Sequence, residues 1–203
     1  MDVSTSATVG GYGGGFKTAA QSSVKAIFKQ LSQGWKGLTN AQILDWNALA
    51  NTQKGKSVLG TSSKISGANL YSRLNFWIVN AGGAALTTQP VLNGVDAPCE
   101  ADLSPNAANF HLHLPDPPAE KDDLRLVIMA SAPQSKGVTR AYSKAVSIGA
   151  PRTIVDEQID IMADYKAVHG EVTAAAPKVF LKYFFINIRT GEKSGEMLGE
   201  ISL

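Results

Sequence analysis

His111 and His113 are the residues of this 203-residue chain whose types and spacing come nearest to doing chemistry. They flank one residue in Phe110-His111-Leu112-His113-Leu114. That alternation predicts a strand, and a strand sends both rings to the same face. Such a pair holds a metal ion when a third ligand converges on it. His169 and Glu120 are the candidates for that place. Glu120 follows only after Pro115, Pro117 and Pro118, which fits poorly the short spacing of a barrel-oxygenase metal site. The same alternation puts Phe110, Leu112 and Leu114 toward a core and both histidines toward solvent. No metal and no cofactor is expected.

The remaining chemical motifs fail on context. Gly55-Lys56-Ser57 resembles the end of a phosphate-binding loop, but the position five before Gly55 is Ala50, within a predicted helix, and no apolar strand precedes it. The glycines of residues 10–15 do not sit between a strand and a helix as a dinucleotide site requires. Cys99 has no neighbouring base or cation to lower its pKa. Asp160 and Asp164, four apart beside Tyr165, read as surface acids. No catalytic residue is assigned, and the chain is expected not to be an enzyme.

Composition narrows the class further. The chain is 44% hydrophobic, enough to build a core, but only 18% charged against a usual ~25%. Low charge suggests a surface partly covered by neighbours. A net charge of +2 with no run of five like charges makes nucleic acid an unexpected partner. A single cysteine means no internal disulfide. The first residues, Met-Asp-Val-Ser-Thr-Ser, do not read as a signal peptide, and no apolar run reaches membrane-spanning length. The expected site of synthesis is the cytoplasm, without a membrane partner.

Four regions are expected. Residues 1–16 read as a glycine-rich extended arm. Residues 17–85 read as a helical unit. Its first helix, 17–35, sets Ala20, Val24, Ile27, Phe28, Leu31 and Trp35 at helical spacing, with Lys17, Lys25 and Lys29 on the opposite side. A second starts at the capping box Thr39-x-x-Gln42, with Leu38 and Ile43 as a hydrophobic staple. A third starts at Ser66 and ends at Gly82-Gly83. Residues 51–64 read as a loop and 86–107 as a linker. From 108 to 203 the period falls to two. Strands are predicted at 110–114, 124–130, 145–148, 155–161, 178–188 and 197–203, with a turn at Arg189-Thr190-Gly191. This pattern predicts an α+β chain in two parts, a helical unit followed by an immunoglobulin- or fibronectin-like β-sandwich.

Several motifs carry a family likeness. They are LT-x-x-Q-x-x-x-WN-x-x-A from Leu38 to Ala50, SG-x-NLY-x-x-LN from Ser66 to Asn75, and AGG-x-x-LT-x-x-P from Ala81 to Pro90. The second half adds A-P-x-S-x-G (Ala132 to Gly137), DY-x-A-x-x-G (Asp164 to Gly170), K-V-F-x-K (Lys178 to Lys182) and TG-x-x-S (Thr190 to Ser194). Over most of 35–195 the chain resembles uncharacterised structural proteins of bacteriophages and prophages. The resemblance implies a non-enzymatic virion or assembly subunit: a decoration, connector, tail or fibre-associated oligomer. Its partners would be other virion proteins or copies of itself, and its location the virion. Interface anchors are expected among aromatic residues, with Tyr12, Phe16, Trp35 and Trp77 the candidates. Phe184 and Phe185 are adjacent on one strand, so one ring must leave the core. A carbohydrate- or surface-binding sandwich is the alternative, with a glycan as partner.

Overall fold

The computed structural model describes residues 19–56, 62–106, 109–114, 122–154, 158–173 and 175–202. The expected arm, residues 1–16, lies outside them, as do Ser57 and Glu120.

Three helices form where local signals demand them: α1 (Ala19–Lys36), α2 (Asn40–Thr52) and α3 (Gly67–Asn80). The start of α2 is fixed by a reciprocal cap. Thr39 Oγ1 accepts from the Gln42 amide at 3.3 Å, and the Gln42 side chain accepts from the Thr39 amide at 2.9 Å. Ser66 caps α3 without the return bond, accepting from the Asn69 amide at 3.2 Å. The segment between α2 and α3, read as a loop, carries a short hairpin of β1 (Lys54–Lys56) and β2 (Ser62–Lys64). Leu31, Leu38, Trp46, Ala50, Leu70, Tyr71 and Leu74 form the buried core of the three helices. Tyr71 is its hub, its ring centre 5.3 Å from that of Trp46 and 5.5 Å from that of Trp35.

The second half is two antiparallel sheets. One contains β3 (Asp102–Asn106), β4 (Asn109–His113) and, after two strands of the other sheet, β7 (Gln158–Asp160), in the order β3-β4-β7. The other contains β5 (Leu124–Ala130), β6 (Val146–Ser147), β8 (Lys178–Asn187) and β9 (Met197–Ser202), in the order β6-β5-β8-β9. A helix, α4 (Met162–His169), joins β7 toward β8. The chain is therefore α+β. Both sheets face one apolar core. Phe110, Leu112 and Leu114 from β4 and its end meet Leu126, Ile128, Val179, Leu181, Tyr183 and Phe185 from β5 and β8.

Two further elements fell outside the sequence reading. β3 lies in the stretch expected as linker. Its Pro105 argues against a central strand, but β3 is an edge, where a proline is tolerated. α4 has no side-chain bond from its N-cap residue Ile161; Asp160, one position earlier, holds its first amide, and tertiary contacts hold the rest. Tyr165 is fully buried in the two-sheet core, and Asp164 pairs with Arg152.

The two halves meet on the outer face of the larger sheet. β8 is buried on both sides: Val179, Leu181, Tyr183 and Phe185 point into the sheet core, while Phe184 and Ile186 point the other way with Val127 of β5. Trp77 and Ala81, from α3 and its end, cover that second patch. The β8–β9 turn completes the junction. Gly191 adopts φ +75°, and a Cβ there would stand 2.1 Å from the Leu74 carbonyl oxygen of α3. Only glycine gives both the left-handed backbone and that approach.

Gly191→Ala is expected to lower stability by at least about 3 kcal/mol, because it adds a backbone clash to the left-handed strain. Gly82 also has a positive φ but open space around it, so Gly82→Ala is expected to cost only about 1–2 kcal/mol. Urea unfolding midpoints of both variants measure the difference, and equal losses would contradict the close approach.

Candidate interaction surface

The histidine pair sits on the central strand of the three-stranded sheet. Phe110, Leu112 and Leu114 are fully buried, whereas His111 and His113 lie half-buried on the alternate positions. In register, His111 stands opposite Ser104 on one side and Asp160 on the other; His113 stands opposite Asp102 and Gln158. Among the described residues, Nδ1 of His111 is buried without a hydrogen-bond partner. His169 is on α4 instead, its ring centre 5.1 Å from that of Tyr165 and its Nε2 3.0 Å from the Ala130 carbonyl oxygen. Among the described residues no three His, Cys, Asp or Glu side chains are grouped to hold a metal.

The other sequence candidates act in the fold. Lys56 of the rejected phosphate motif ends strand β1. Asp160 accepts from the Met162 amide at 2.9 Å and so starts α4. The carbonyl of Cys99 accepts from the Tyr183 hydroxyl at 3.3 Å, and that hydroxyl accepts from the Ala101 amide at 2.8 Å. This pins the approach to β3 onto the sheet core. Among the described residues, no helix is long and apolar enough to cross a membrane.

The proposed anchors divide three ways. Tyr12 and Phe16 lie outside the described residues. Trp35 is half-buried against Tyr71 within the helical unit. Trp77 is half-buried at the junction, its ring centre 5.4 Å from that of Phe184 at an interplanar angle of 72°. Phe184 is thus the outward ring of the Phe184-Phe185 pair, and this chain's own α3 covers it. The ring contacts continue: Phe76 meets Trp77 at 5.1 Å, and Phe28 of α1 stacks on Phe76 at 5.3 Å. An unbroken aromatic row therefore runs from the surface of α1 to the larger sheet. Lys193 Nζ closes it, 3.8 Å from the centre of the Phe184 ring.

Beside this row lies a cleft of about 400 Å³ whose walls include Arg73, Trp77, Leu92, Glu192 and Lys193. Glu192 is already engaged: its carboxylate accepts from the amides of Asn93 and Gly94 at 3.3 and 2.9 Å. It ties the chain leaving the helical unit to the β8–β9 turn. The cleft is thus a seam between the halves.

The motifs that carry the family likeness prove to touch one another. Trp46 Nε1 donates to the Thr87 carbonyl at 3.0 Å, Asn47 accepts from the Gly67 amide at 3.2 Å, and Asn75 accepts from the Leu86 amide. Asn75 is fully buried and also donates to the Tyr71 carbonyl at 3.0 Å. Gly191 abuts Leu74, and Ser194 accepts from the Phe185 amide at 2.9 Å. Pattern reading missed Asn47, Asn75 and Glu192, because polar residues without periodicity look like surface until their partners are known.

The exposed surface of the helical unit has its own character. Val24 and Phe28 of α1 are 42% and 51% exposed, although both lie on the helix's apolar stripe. Between residues 17 and 80 the chain holds eight Lys and Arg against one acid, Asp45. That imbalance was available in the sequence by counting charge per segment, and the whole-chain value of +2 conceals it.

Among the described residues, three phenols are buried without a charge that would stabilise their ionised form. Burial pushes the pKa of Tyr71, Tyr165 and Tyr183 above the ordinary tyrosine value. The unfolded chain therefore loses these protons first as pH rises. The stability linked to them is complete below about pH 10 and falls above it. In an alkaline titration followed by phenolate absorbance, these tyrosines are expected to ionise together with loss of near-ultraviolet dichroism. Tyr165→Phe is expected to shift that transition to higher pH. Gradual ionisation of all tyrosines with the fold intact would contradict the burial.

Comparison with protein-family models, with curated proteins and with solved structures finds no match to this chain.

Proposed function

We propose that this chain is a non-enzymatic structural component of a phage virion, a decoration, connector, tail or fibre-associated subunit that acts through contacts with neighbouring subunits. The observation that carries this reading is the use made of the motif residues. Trp46, Asn47, Gly67, Asn75, Thr87 and Gly191 contact one another or the backbone across the fold rather than converging on a ligand. Their types are those that build a rigid body, which is what a subunit of an assembly needs.

The strand order supports the finer architecture. Lettered along the chain, β3, β4 and β7 take the places of strands A, B and E, while β6, β5, β8 and β9 take those of C′, C, F and G. Immunoglobulin- and fibronectin-like sandwiches divide their strands between sheets in this way. The helical unit then stands fixed on the C′CFG face, with Trp77 over Phe184. A rigid joint of this kind transmits the position of one contact surface to another.

Mass spectrometry of density-gradient-purified particles tests the proposal. The chain is expected in fixed stoichiometry to the other particle proteins. Its recovery only as free protein at the top of the gradient would overturn the reading.

A further inference from the structure

The helical unit and the two-sheet unit handle charge differently. In the two-sheet half, ion pairs join Arg152 with Asp164, Lys166 with Glu171, Lys178 with Glu200, Arg189 with Asp123, and Lys182 and Lys193 with Glu196. In the helical unit, Lys25, Lys29, Lys36, Lys64 and Arg73 have no ion pair among the described residues. No acidic residue occurs in α1 or α3.

Three of these cations, Lys25, Lys29 and Lys36, border an exposed apolar ledge on α1. Val24 and Phe28 are one turn apart on α1 and share a face. Phe28 rests on the half-buried Phe76 of α3. Leu31, three residues further along, is fully buried, so the apolar stripe of α1 runs out of the core and onto the surface. At 3.6 residues per turn, Lys25, Lys29 and Lys36 fall about 60–100° round the helix from Phe28, in one row along the ledge.

We infer that this ledge docks an amphipathic helical segment of another protein, with an apolar ridge for Val24, Phe28 and Phe76 and carboxylates facing Lys25 and Lys29. The inference rests on the reading of the chain as an assembly subunit and names the chemistry of its neighbour. Charge complementarity selects this occupant. A second copy presenting α1 would bring lysines against lysines, and Asp123, Asp164, Glu171, Glu196 and Glu200 of a second copy are already engaged by their own bases. A nucleic acid matches the lysines but leaves Val24 and Phe28 without an apolar partner.

The test uses the full chain and a fluorescent synthetic helix with a leucine face bordered by glutamates. Its comparators are the same peptide with lysine in place of glutamate, polyglutamate, phosphatidylcholine–phosphatidylglycerol vesicles and a DNA duplex. The Leu/Glu peptide is expected to bind best. Phe28→Ser, and separately Lys25→Glu with Lys29→Glu, are each expected to weaken that binding about tenfold or more. Circular dichroism of the variants is expected to match the parent, since all three positions are exposed. Equal or tighter binding of the duplex or vesicles, affinity indifferent to both variants, or no binding of the peptide overturns the inference. A chain that is present in particles yet fails this test retains the subunit reading and loses only the docking chemistry.

Discussion

The contact of Trp77 with Phe184 is the constraint on which the remaining structure depends. A ten-residue strand with apolar side chains on both faces cannot lie at the surface of a two-layer protein. β8 is such a strand. Its inner face has the three-stranded sheet to meet, and its outer face needs a second cover. α3 supplies that cover, so the helical unit completes the sheet's burial. The cost of separating the halves would be the exposure of Val127, Phe184, Ile186 and Trp77 together. At about 25 cal/mol per Å² of apolar surface, such a patch amounts to several kcal/mol, comparable with the whole stability of a domain.

Other features of the junction follow from that contact. The β8–β9 turn must pass close to α3, which requires glycine at position 191. The segment after α3 must run back along the seam, where Glu192 holds the amides of Asn93 and Gly94. It must then deliver Cys99 and Ala101 to the Tyr183 hydroxyl before β3 begins. The stretch between the halves is hydrogen-bonded at successive points. It spaces the two cores while joining them.

The parts of the fold legible in the sequence are those set by neighbours within four residues. The caps at Thr39 and Ser66 need only a hydroxyl and an amide three positions on. The alternation around His111 places its neighbours Phe110 and Leu112 in a core without any knowledge of the other sheet. The double apolar character of β8 was legible too, and it required one ring to turn outward. Which element would meet that ring was not, because the partner Trp77 stands more than a hundred residues away. β3 and α4 were missed for the same reason: an edge strand with a proline, and a two-turn helix held by Tyr165 and Arg152, take their stability from distant contacts. The candidate surface divides likewise. The excess of lysine and arginine over acid in the helical unit is written in the sequence, but that Lys25, Lys29, Lys36, Lys64 and Arg73 make no ion pair among the described residues emerges only from the fold.

Amide hydrogen exchange on the full chain tests most directly whether the halves form one body. Slowly exchanging amides of α3 and of β8 are expected to share a single opening free energy and to lose protection together as denaturant rises. If the amides of α3 open at markedly lower free energy while those of β8 stay protected, the halves are independent domains and the account of the junction is wrong.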